Sequence, residues 1–215
     1  MDKAKKQKSR RSFFQKSTLL AGGLIGSQMI SMANPLEVPT AEGLYLIGPK
    51  EGYSPQVGTL LSTMTMMRTW IVQGVQNLSV EELDFQIDDQ SNSIGAMLLH
   101  LAATERYYQL NTFENMPWGS WSTKIKKEWD HAMNLGPSAR NKIKGNDISF
   151  YLEKMKEVRD ITKAEFAKRD DEWLMQSENF FENKPTNNYC KWFHVCEHES
   201  NHNGQIKFIK KRFPK

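Results

Sequence analysis

The sequence predicts an all-α protein, a four-helix bundle with a long connection between its second and third helices. Four separate stretches repeat apolar residues at intervals of three and four, the spacing of a helix with one buried face. No stretch shows a convincing alternation of polar and apolar residues, the pattern of a half-buried strand. Four amphipathic helices in a chain of 215 residues indicate a bundle that shares one apolar core.

The first two helices are predicted over residues 55–78 and 92–114. The apolar positions of the first are Val57, Leu60, Leu61, Met64, Met67, Ile71, Val75 and Leu78. Those of the second are Ile94, Met97, Leu98, Leu101 and Tyr108. This spacing places each set on one side of its helix, where it can face the core.

The third and fourth helices are predicted over residues 147–169 and 187–212. Asp147 is the expected N-cap of the third helix, and Asn187 or Asn188 that of the fourth. The apolar positions of the third helix are Ile148, Tyr151, Leu152, Met155 and Phe166. Basic residues in the last turns of the fourth helix complement the helix dipole.

The long connection spans residues 115–146. It contains a loop with Trp118 and Trp121, followed by a short helix expected to run through Trp129. The two loop tryptophans either cover a pocket or pack as a strap on the surface.

The net charge of +4 comes from the N-terminus. Residues 1–33 hold seven bases and one acid, whereas residues 34–215 hold 22 bases and 24 acids, a net charge of −2. The basic isoelectric point is therefore no argument for nucleic-acid binding, and we expect no nucleic-acid partner.

Residues 1–33 are expected to be an export signal. The pair Arg10-Arg11 with a following Phe13 resembles a twin-arginine signal, a mildly apolar stretch comes next, and Ser31-Met32-Ala33 fits a cleavage site. A membrane anchor is the alternative, but the apolar stretch is short of the roughly 20 residues of a bilayer span. We expect a periplasmic protein cut after about Ala33, with no stable membrane span once the signal is removed.

After the signal, residues 34–54 carry several prolines and glycines and are expected to form an extended linker or strap. The bundle then occupies residues 55–215. The two cysteines, Cys190 and Cys196, fall on one predicted helix about 9 Å apart along its axis. A disulfide needs closer Cα atoms, so we predict two free thiols.

Two histidines stand where the fourth helix should face the core. Val195, His198, His202, Ile206 and Ile209 share one stripe of the helix. Burying two unpaired imidazoles is costly, whereas one divalent metal ion satisfies both. A histidine pair one turn apart therefore indicates a metal site.

His100, midway along the second helix, is the candidate third ligand. Three histidines with an open coordination position are typical of a catalytic metal site. His194 lies one turn before His198 at the edge of the stripe, and we expect it to line the pocket or support a ligand. Tyr107 lies two turns from His100 and either lines the pocket or packs in the core, while His131 is expected at the surface.

The segment from His198 to His202 also matches the H-E-x-x-H motif, in which Glu199 would be the general base of a metalloprotease. The 13 residues after His202 offer no Asp, Glu or His as a downstream third ligand. A metalloprotease is thus the less favoured interpretation, although Glu199 and His194 both remain candidate catalytic groups.

Several short stretches together are more specific than the histidine pair. They are Ile47-Gly48-Pro49, Gly52-Tyr53-Ser54-Pro55, Leu78-Ser79-Val80-Glu81-Glu82-Leu83-Asp84, Asn92-Ser93-Ile94-Gly95, Leu99-His100-Leu101, Asp171-Glu172-Trp173-Leu174, Trp192-Phe193-His194-Val195, His198-Glu199 and His202-Asn203-Gly204-Gln205. With these stretches, residues 47–214 resemble the DinB-like superfamily of metal-binding four-helix bundles.

The resemblance implies that His100, His198 and His202 hold one divalent metal ion, zinc or nickel, or iron as in some relatives. It also implies a homodimer, and Gln205 is expected to line the pocket with His194 and Tyr107. The superfamily usually has Arg where this chain has Asn203. An anion or carboxylate contact from that Arg is therefore not expected here.

Characterised relatives include thiol S-transferases, a mycothiol-dependent maleylpyruvate isomerase and the amino-terminal domain of ergothioneine-type sulfoxide synthases. We therefore expect a metal-dependent hydrolase or thiol S-transferase acting on a small molecule. Thiol cofactors are cytosolic, which favours hydrolysis in an exported protein. A non-catalytic metal-binding protein and a metal-free helical interaction protein are the alternatives.

Overall fold

The computed structural model describes residues 43–214, and in this range the chain is mostly helical, as predicted. The elements in chain order are α1 (Pro55–Val75), α2 (Val80–Asp84), α3 (Ile94–Thr112), α4 (Thr123–Asn134), α5 (Gly136–Lys142), α6 (Ile148–Phe166), α7 (Asp171–Met175), β1 (Ser177–Asn179), a 3₁₀ turn (Phe181–Asn183), β2 (Pro185–Asn187) and α8 (Asn188–Lys210). No helix within residues 43–214 combines the length and hydropathy that a membrane crossing requires.

The four long helices α1, α3, α6 and α8 form the bundle. Helix α3 packs against both α6 and α8, and α1 packs against the same two helices from the other side. Helices α1 and α3 therefore lie diagonally across the core, and each contacts α6 and α8. This arrangement brings the histidine of α3 beside those of α8.

The polar residues that precede the helices fix where they begin. Asp147 accepts a hydrogen bond from Phe150 N at 3.1 Å, and Asn187 accepts one from Cys190 N at 2.8 Å, so both predicted caps are confirmed. Ser93 caps α3 in the same way. Because the caps are local, the predicted starts of α6 and α8 agree with the structure to within a residue.

The core consists of two apolar clusters. One lies mainly around α3, α6 and the connection between them. The other joins α1 to the first half of α8 and centres on Trp192, whose ring stacks on Phe113 at 5.1 Å. Helices α3 and α6 approach closely at Gly95, where an added Cβ would lie 2.6 Å from the Tyr151 hydroxyl.

The long connection is itself mostly helical. The predicted helix through Trp129 is α4, and its buried Trp129 and Ala132 pack toward α3. The short α5 follows, which the sequence pattern did not indicate. Its glycine at 136, with φ of +69°, directly follows a strained Leu135 with φ of +51°.

The expectation of no strand was wrong for one short hairpin. Strands β1 and β2 pair antiparallel, with Ser177 opposite Asn187 and Asn179 opposite Pro185. Three residues are too few to show an alternation of polar and apolar side chains, and four of the six strand residues are exposed. The hairpin lies immediately before α8 and so helps to enclose the start of that helix.

The predicted strap can be followed from residue 43. Gly48 N donates to Ser62 Oγ at 3.2 Å, and a Cβ at Gly58 would lie 2.5 Å from Lys50 N. The strap therefore lies directly on α1. The expected export signal, and residues 34–42 of the strap, fall outside the described residues.

Candidate metal centre

His100, His198 and His202 meet at the interface of α3 and α8. One nitrogen from each ring lies within 4.8 Å of the others, and His100 Nε2 lies 2.7 Å from His198 Nε2. The ring centroids are 4.6–5.0 Å apart. His100 and His202 are buried, whereas His198 is half-buried.

The connection between α3 and α6 orients His100. Its Nδ1 lies 3.0 Å from the carbonyl oxygen of Ala132 in α4. A carbonyl oxygen only accepts, so Nδ1 carries the proton and donates it. In the neutral ring, Nε2 is then left with its lone pair directed at His198. Outer hydrogen bonds of this type fix the tautomer of metal-binding histidines.

The three rings are neutral at physiological pH. Burial lowers the pKa of His100. Burial and the neighbouring imidazoles lower the pKa of His198 to about 3, and burial and His100 lower that of His202 to about 4. Neutral imidazole is the form that binds metal ions.

The donor set fits a divalent metal ion. Nδ1 of His202 is buried and has no hydrogen-bond partner among residues 43–214. Such an orphaned buried nitrogen is costly in a folded protein. Three imidazole nitrogens suit zinc, nickel, copper and iron alike, so the donor set does not select among these metals.

Glu199 lies next to His198 in the sequence but has different partners. Its Oε1 accepts hydrogen bonds from Arg68 Nε at 2.9 Å and from Arg159 Nη2 at 2.8 Å. Glu199 is almost fully buried, with 1% of its surface exposed. The carboxylate is thus neutralised by two guanidinium groups, which does not suit the general base of an H-E-x-x-H protease.

The same network contains a second carboxylate, Glu105. Arg159 Nε and Arg68 Nη2 each donate to it at 2.8 Å, and Thr162 Oγ1 donates at 2.6 Å. Burial would raise the pKa of Glu105, but Arg159 and Arg68 outweigh burial and hold it below its ordinary value. Two acids and two bases therefore cancel their charges in the core.

Aromatic rings border the histidine cluster. His194 stacks on His198 with ring centroids 5.3 Å apart, and its Nδ1 lies 3.1 Å from the Tyr108 hydroxyl. Trp118 packs on Tyr108 at 5.1 Å and is 42% exposed. His194 therefore lies beside His198, and Trp118 packs on the tyrosine that His194 contacts.

Tyr107 is buried beneath the same loop. Its ring packs against Trp118 and Trp121, and its hydroxyl donates to Asp130 of α4. Burial and this acceptor raise the pKa of Tyr107. The side chain therefore links α3 to the loop and to α4. Of the two roles expected for Tyr107, these contacts agree better with packing than with lining a pocket.

The remaining polar candidates differ in exposure. Gln205 is exposed one turn after His202, and its side chain opposes the fall in the pKa of that histidine. His131 is half-buried on α4 and lies outside the histidine cluster. Both cysteines are free, as predicted, with Cys190 exposed and Cys196 buried.

The sequence reasoning missed the residues that support the cluster. The apolar stripe of the second helix includes Tyr108 but does not predict its contact with His194, and no sequence pattern indicates Phe180, which packs on Trp118 at 5.3 Å. The buried Arg68 and Arg159 were also missed, although each is a charge inside an apolar helical pattern. A charged residue at a core-facing position is a usable signal, because such a residue is seldom buried without a partner.

One family model matches most of the chain. The model described as mycothiol-S-transferase matches residues 59–213. This range includes all three histidines, the whole of α3, α6 and α8, and α1 from its second turn onward. No curated protein matches the chain at a significant level.

Proposed function

The chain belongs to the mycothiol-S-transferase family, a DinB-like family, and from that premise we propose that it is a metal-dependent thiol S-transferase. The meeting of His100, His198 and His202 at the α3–α8 interface carries the proposal. The expected export favours hydrolysis, whereas the family match favours thiol transfer, and we give the family match more weight.

The three histidines would hold one divalent metal ion, with zinc or nickel as the first candidates. When bound, such an ion supplies a Lewis acid that lowers the pKa of a thiol and so favours the thiolate at neutral pH. Ala132 keeps His100 in the tautomer that binds metal, since its carbonyl takes the Nδ1 proton. The lowered pKa values keep the ligands of α8 free of competing protons.

The aromatic side of the cluster would receive the electrophile. His194 stacks on His198, Phe181 packs on His194 at 5.4 Å, and Trp118 covers Tyr108. These rings exclude water and offer flat apolar surfaces to an alkyl or aryl group. In the reaction, the thiolate sulfur forms a bond to an electrophilic carbon, the bond from that carbon to its leaving group breaks, and the thiol proton goes to solvent.

The experiment uses the untagged full-length chain loaded with zinc. Bound metal is counted by elemental mass spectrometry, and transfer is followed with a low-molecular-weight thiol and monochlorobimane, from which chloride leaves. We expect about one metal ion per chain and a rate above that of the thiol alone.

His198→Ala is expected to lose both metal and activity, whereas His131→Ala keeps both. His131 is the matched control because it is a histidine of the same chain outside the cluster. Metal binding without transfer to any electrophile tried would instead favour the non-catalytic metal-binding protein. A folded chain that takes up no metal would overturn the proposal.

We also propose that the chain is exported. The support is the sequence alone: Arg10-Arg11, the apolar stretch after them, and Ser31-Met32-Ala33. Fractionation of cells that express the chain tests this. We expect the mature protein in the periplasm and the Arg10→Lys, Arg11→Lys double variant in the cytoplasm, while the charge-conserving control Lys5→Arg, Lys6→Arg is exported normally.

A further inference from the structure

A polar cavity of about 270 Å³ lies at the start of α3. Its walls come from the last residue of α2, the loop between α2 and α3, the end of α5 and the segment that follows α5. The groups used in the argument below are Asp84, Gln86, Asp89, Ser93, Arg140 and Lys144. None of them belongs to the histidine cluster. The cavity is therefore separate from the candidate metal centre, and its size suits a molecule smaller than a drug-sized ligand.

The charges that line the cavity are of both signs and are not paired. Asp84 and Asp89 are acidic, whereas Arg140 and Lys144 are basic. Within residues 43–214, no ion pair involves any of these four side chains. A ligand with one positive and one negative group finds a partner for each, whereas a ligand of a single sign also meets like charges. The lining therefore favours a zwitterion.

Asp84 is held in place and has one carboxylate oxygen without a partner. Its Oδ2 accepts a hydrogen bond from Gly145 N at 2.7 Å. Its Oδ1 is buried and has no hydrogen-bond partner in the described part of the chain. Such an oxygen is costly, which indicates a donor from outside the chain, and a ligand ammonium offers three N–H groups. Lys144 precedes Gly145 and is exposed, so its side chain can move aside as the ammonium reaches Oδ1.

Arg140 is also held by one hydrogen bond and has donors left over. Its Nη1 donates to the carbonyl oxygen of Gln90 at 3.1 Å, while Nε and Nη2 have no acceptor among the residues that the structure describes. The side chain is half-buried, so part of its conformational freedom is already lost. A guanidinium binds a carboxylate through two parallel N–H groups. Arg140 is therefore prepared to receive the negative end of a ligand.

Two uncharged groups complete the lining. Gln86 Nε2 donates to Ser91 O at 2.9 Å, which leaves its Oε1 to accept. Ser93 Oγ accepts from Ala96 N at 3.2 Å, and its hydroxyl proton has no acceptor between residues 43 and 214. One acceptor and one donor match a hydroxyl group, which needs both. A ligand with a short hydroxyl-bearing side chain therefore fits better than one with an apolar side chain.

We propose that this cavity binds a free α-amino acid with a short polar side chain. Asp84 and Asp89 receive its ammonium, Arg140 and Lys144 receive its carboxylate, and Gln86 contacts the side chain. The site makes and breaks no covalent bond. It does not depend on the histidine cluster or on the thiol transfer proposed for that cluster.

The test begins with L-serine, which has the two charges and a hydroxyl group. Full-length protein labelled with ¹⁵N is titrated with L-serine at neutral pH, without metal, and followed by two-dimensional NMR. An amino acid of this size is expected to bind with a Kd of about 1 mM. The amide signal of Gly145 is expected to shift, because that amide donates to Asp84.

Two probes separate a zwitterion site from a site for one charge. Ethanolamine keeps the ammonium and hydroxyl groups of serine, and 3-hydroxypropionate keeps the carboxylate and hydroxyl groups. Each is expected to bind at least about tenfold more weakly than L-serine, since each loses one set of charge-assisted hydrogen bonds. Equal binding by either probe would assign the cavity to a ligand of one charge and overturn the proposal.

Variants locate the binding. Asp84→Asn keeps an acceptor for Gly145 and removes the charge, and Arg140→Met keeps much of the apolar stem. Each is expected to weaken L-serine binding about tenfold or more, with the fold checked by circular dichroism. Glu153→Gln and Lys127→Met, exposed charges outside the cavity, are the matched controls and are expected to bind as wild type.

His198→Ala is also expected to bind L-serine normally, which keeps this test separate from the proposed transferase activity. No binding by the wild type would leave Asp84 Oδ1 to a water molecule and overturn the proposal. Binding that neither Asp84→Asn nor Arg140→Met weakens would place L-serine elsewhere on the protein and overturn it as well.

Discussion

His198 and Glu199 are adjacent in the chain, yet their side chains belong to separate groups. His198 Nε2 lies 2.7 Å from His100 Nε2, whereas Glu199 Oε1 accepts hydrogen bonds from Arg68 and Arg159. Successive residues of a helix point about 100° apart, so α8 presents a polar cluster to α3 and a charge to the centre of the bundle. Substitutions at the two positions should therefore have different consequences.

Glu199→Gln should lower stability far more than it affects metal binding. It removes one charge from a buried network and leaves Arg68 and Arg159 with a single carboxylate, a change that costs about 3 kcal/mol or more of unfolding free energy. Urea unfolding measures the loss. Glu153→Gln, an exposed glutamate of α6, is the control and is expected to change stability by less than about 0.5 kcal/mol. Equal effects of the two variants would contradict the importance of the network.

The stability that Glu105 contributes should disappear in acid. Its pKa in the folded protein is lower than in the unfolded chain, where a glutamate titrates near 4.5. The contribution is thus complete above that value and is lost as pH falls through the lower folded pKa. The difference in unfolding free energy between wild type and Glu105→Gln, measured from pH 7 to pH 3, should shrink below about 4.5. A difference that does not vary with pH would show that Glu105 is not ionised in the fold.

Zinc should stabilise the wild-type chain and not its ligand variants. A ligand that binds only the folded state at 100 times its Kd adds about 2.7 kcal/mol to the unfolding free energy. We expect thermal unfolding to move to higher temperature with zinc in wild type and in His131→Ala, and to stay in place in His202→Ala. A comparable zinc-dependent rise in His202→Ala would assign the effect to another site.

Substitutions of two tryptophans should have different effects, because one belongs to the exposed loop and the other to the core. Trp118 is 42% exposed, whereas Trp192 is fully buried in the apolar cluster that joins α1 to the first half of α8. Trp192→Ala should cost about 3–5 kcal/mol of stability, as expected for a large core deletion. Trp118→Ala should cost about 1 kcal/mol and lower kcat/KM for the electrophile about tenfold. Unchanged catalysis in Trp118→Ala would make the loop a packing strap only.

The helices were predictable because each carries its own signals. Helix α6 begins after Asp147 and α8 after Asn187, where local caps and a 3.6-residue period agree. The hairpin of β1 and β2 was not predictable, because three-residue strands give no period to detect. His198 and His202 were identifiable from the core-facing stripe of the fourth helix, whereas His100 was a candidate that the family resemblance singled out.

The supporting contacts were beyond sequence reasoning. That Ala132 would present its carbonyl to His100 depends on how α4 packs against α3, and the pairing of Glu199 with Arg68 depends on contacts 131 residues apart in the chain. The spacing of apolar and polar residues within one helix predicts which face of that helix a side chain occupies. Its partner on another element is determined only when the elements pack.

The network of Arg68, Glu105, Arg159 and Glu199 takes one charged residue from each of the four long helices. Leucine and methionine tolerate exchange and small shifts of one helix along another, since apolar contacts are not directional. Four alternating charges do not tolerate such shifts, because moving any one helix by one turn would leave a charged side chain without its partner in the apolar core. The network therefore specifies how far each long helix is shifted along its neighbours in the bundle. It discriminates against shifted packings, and in the correct one His100 comes level with His198 and His202.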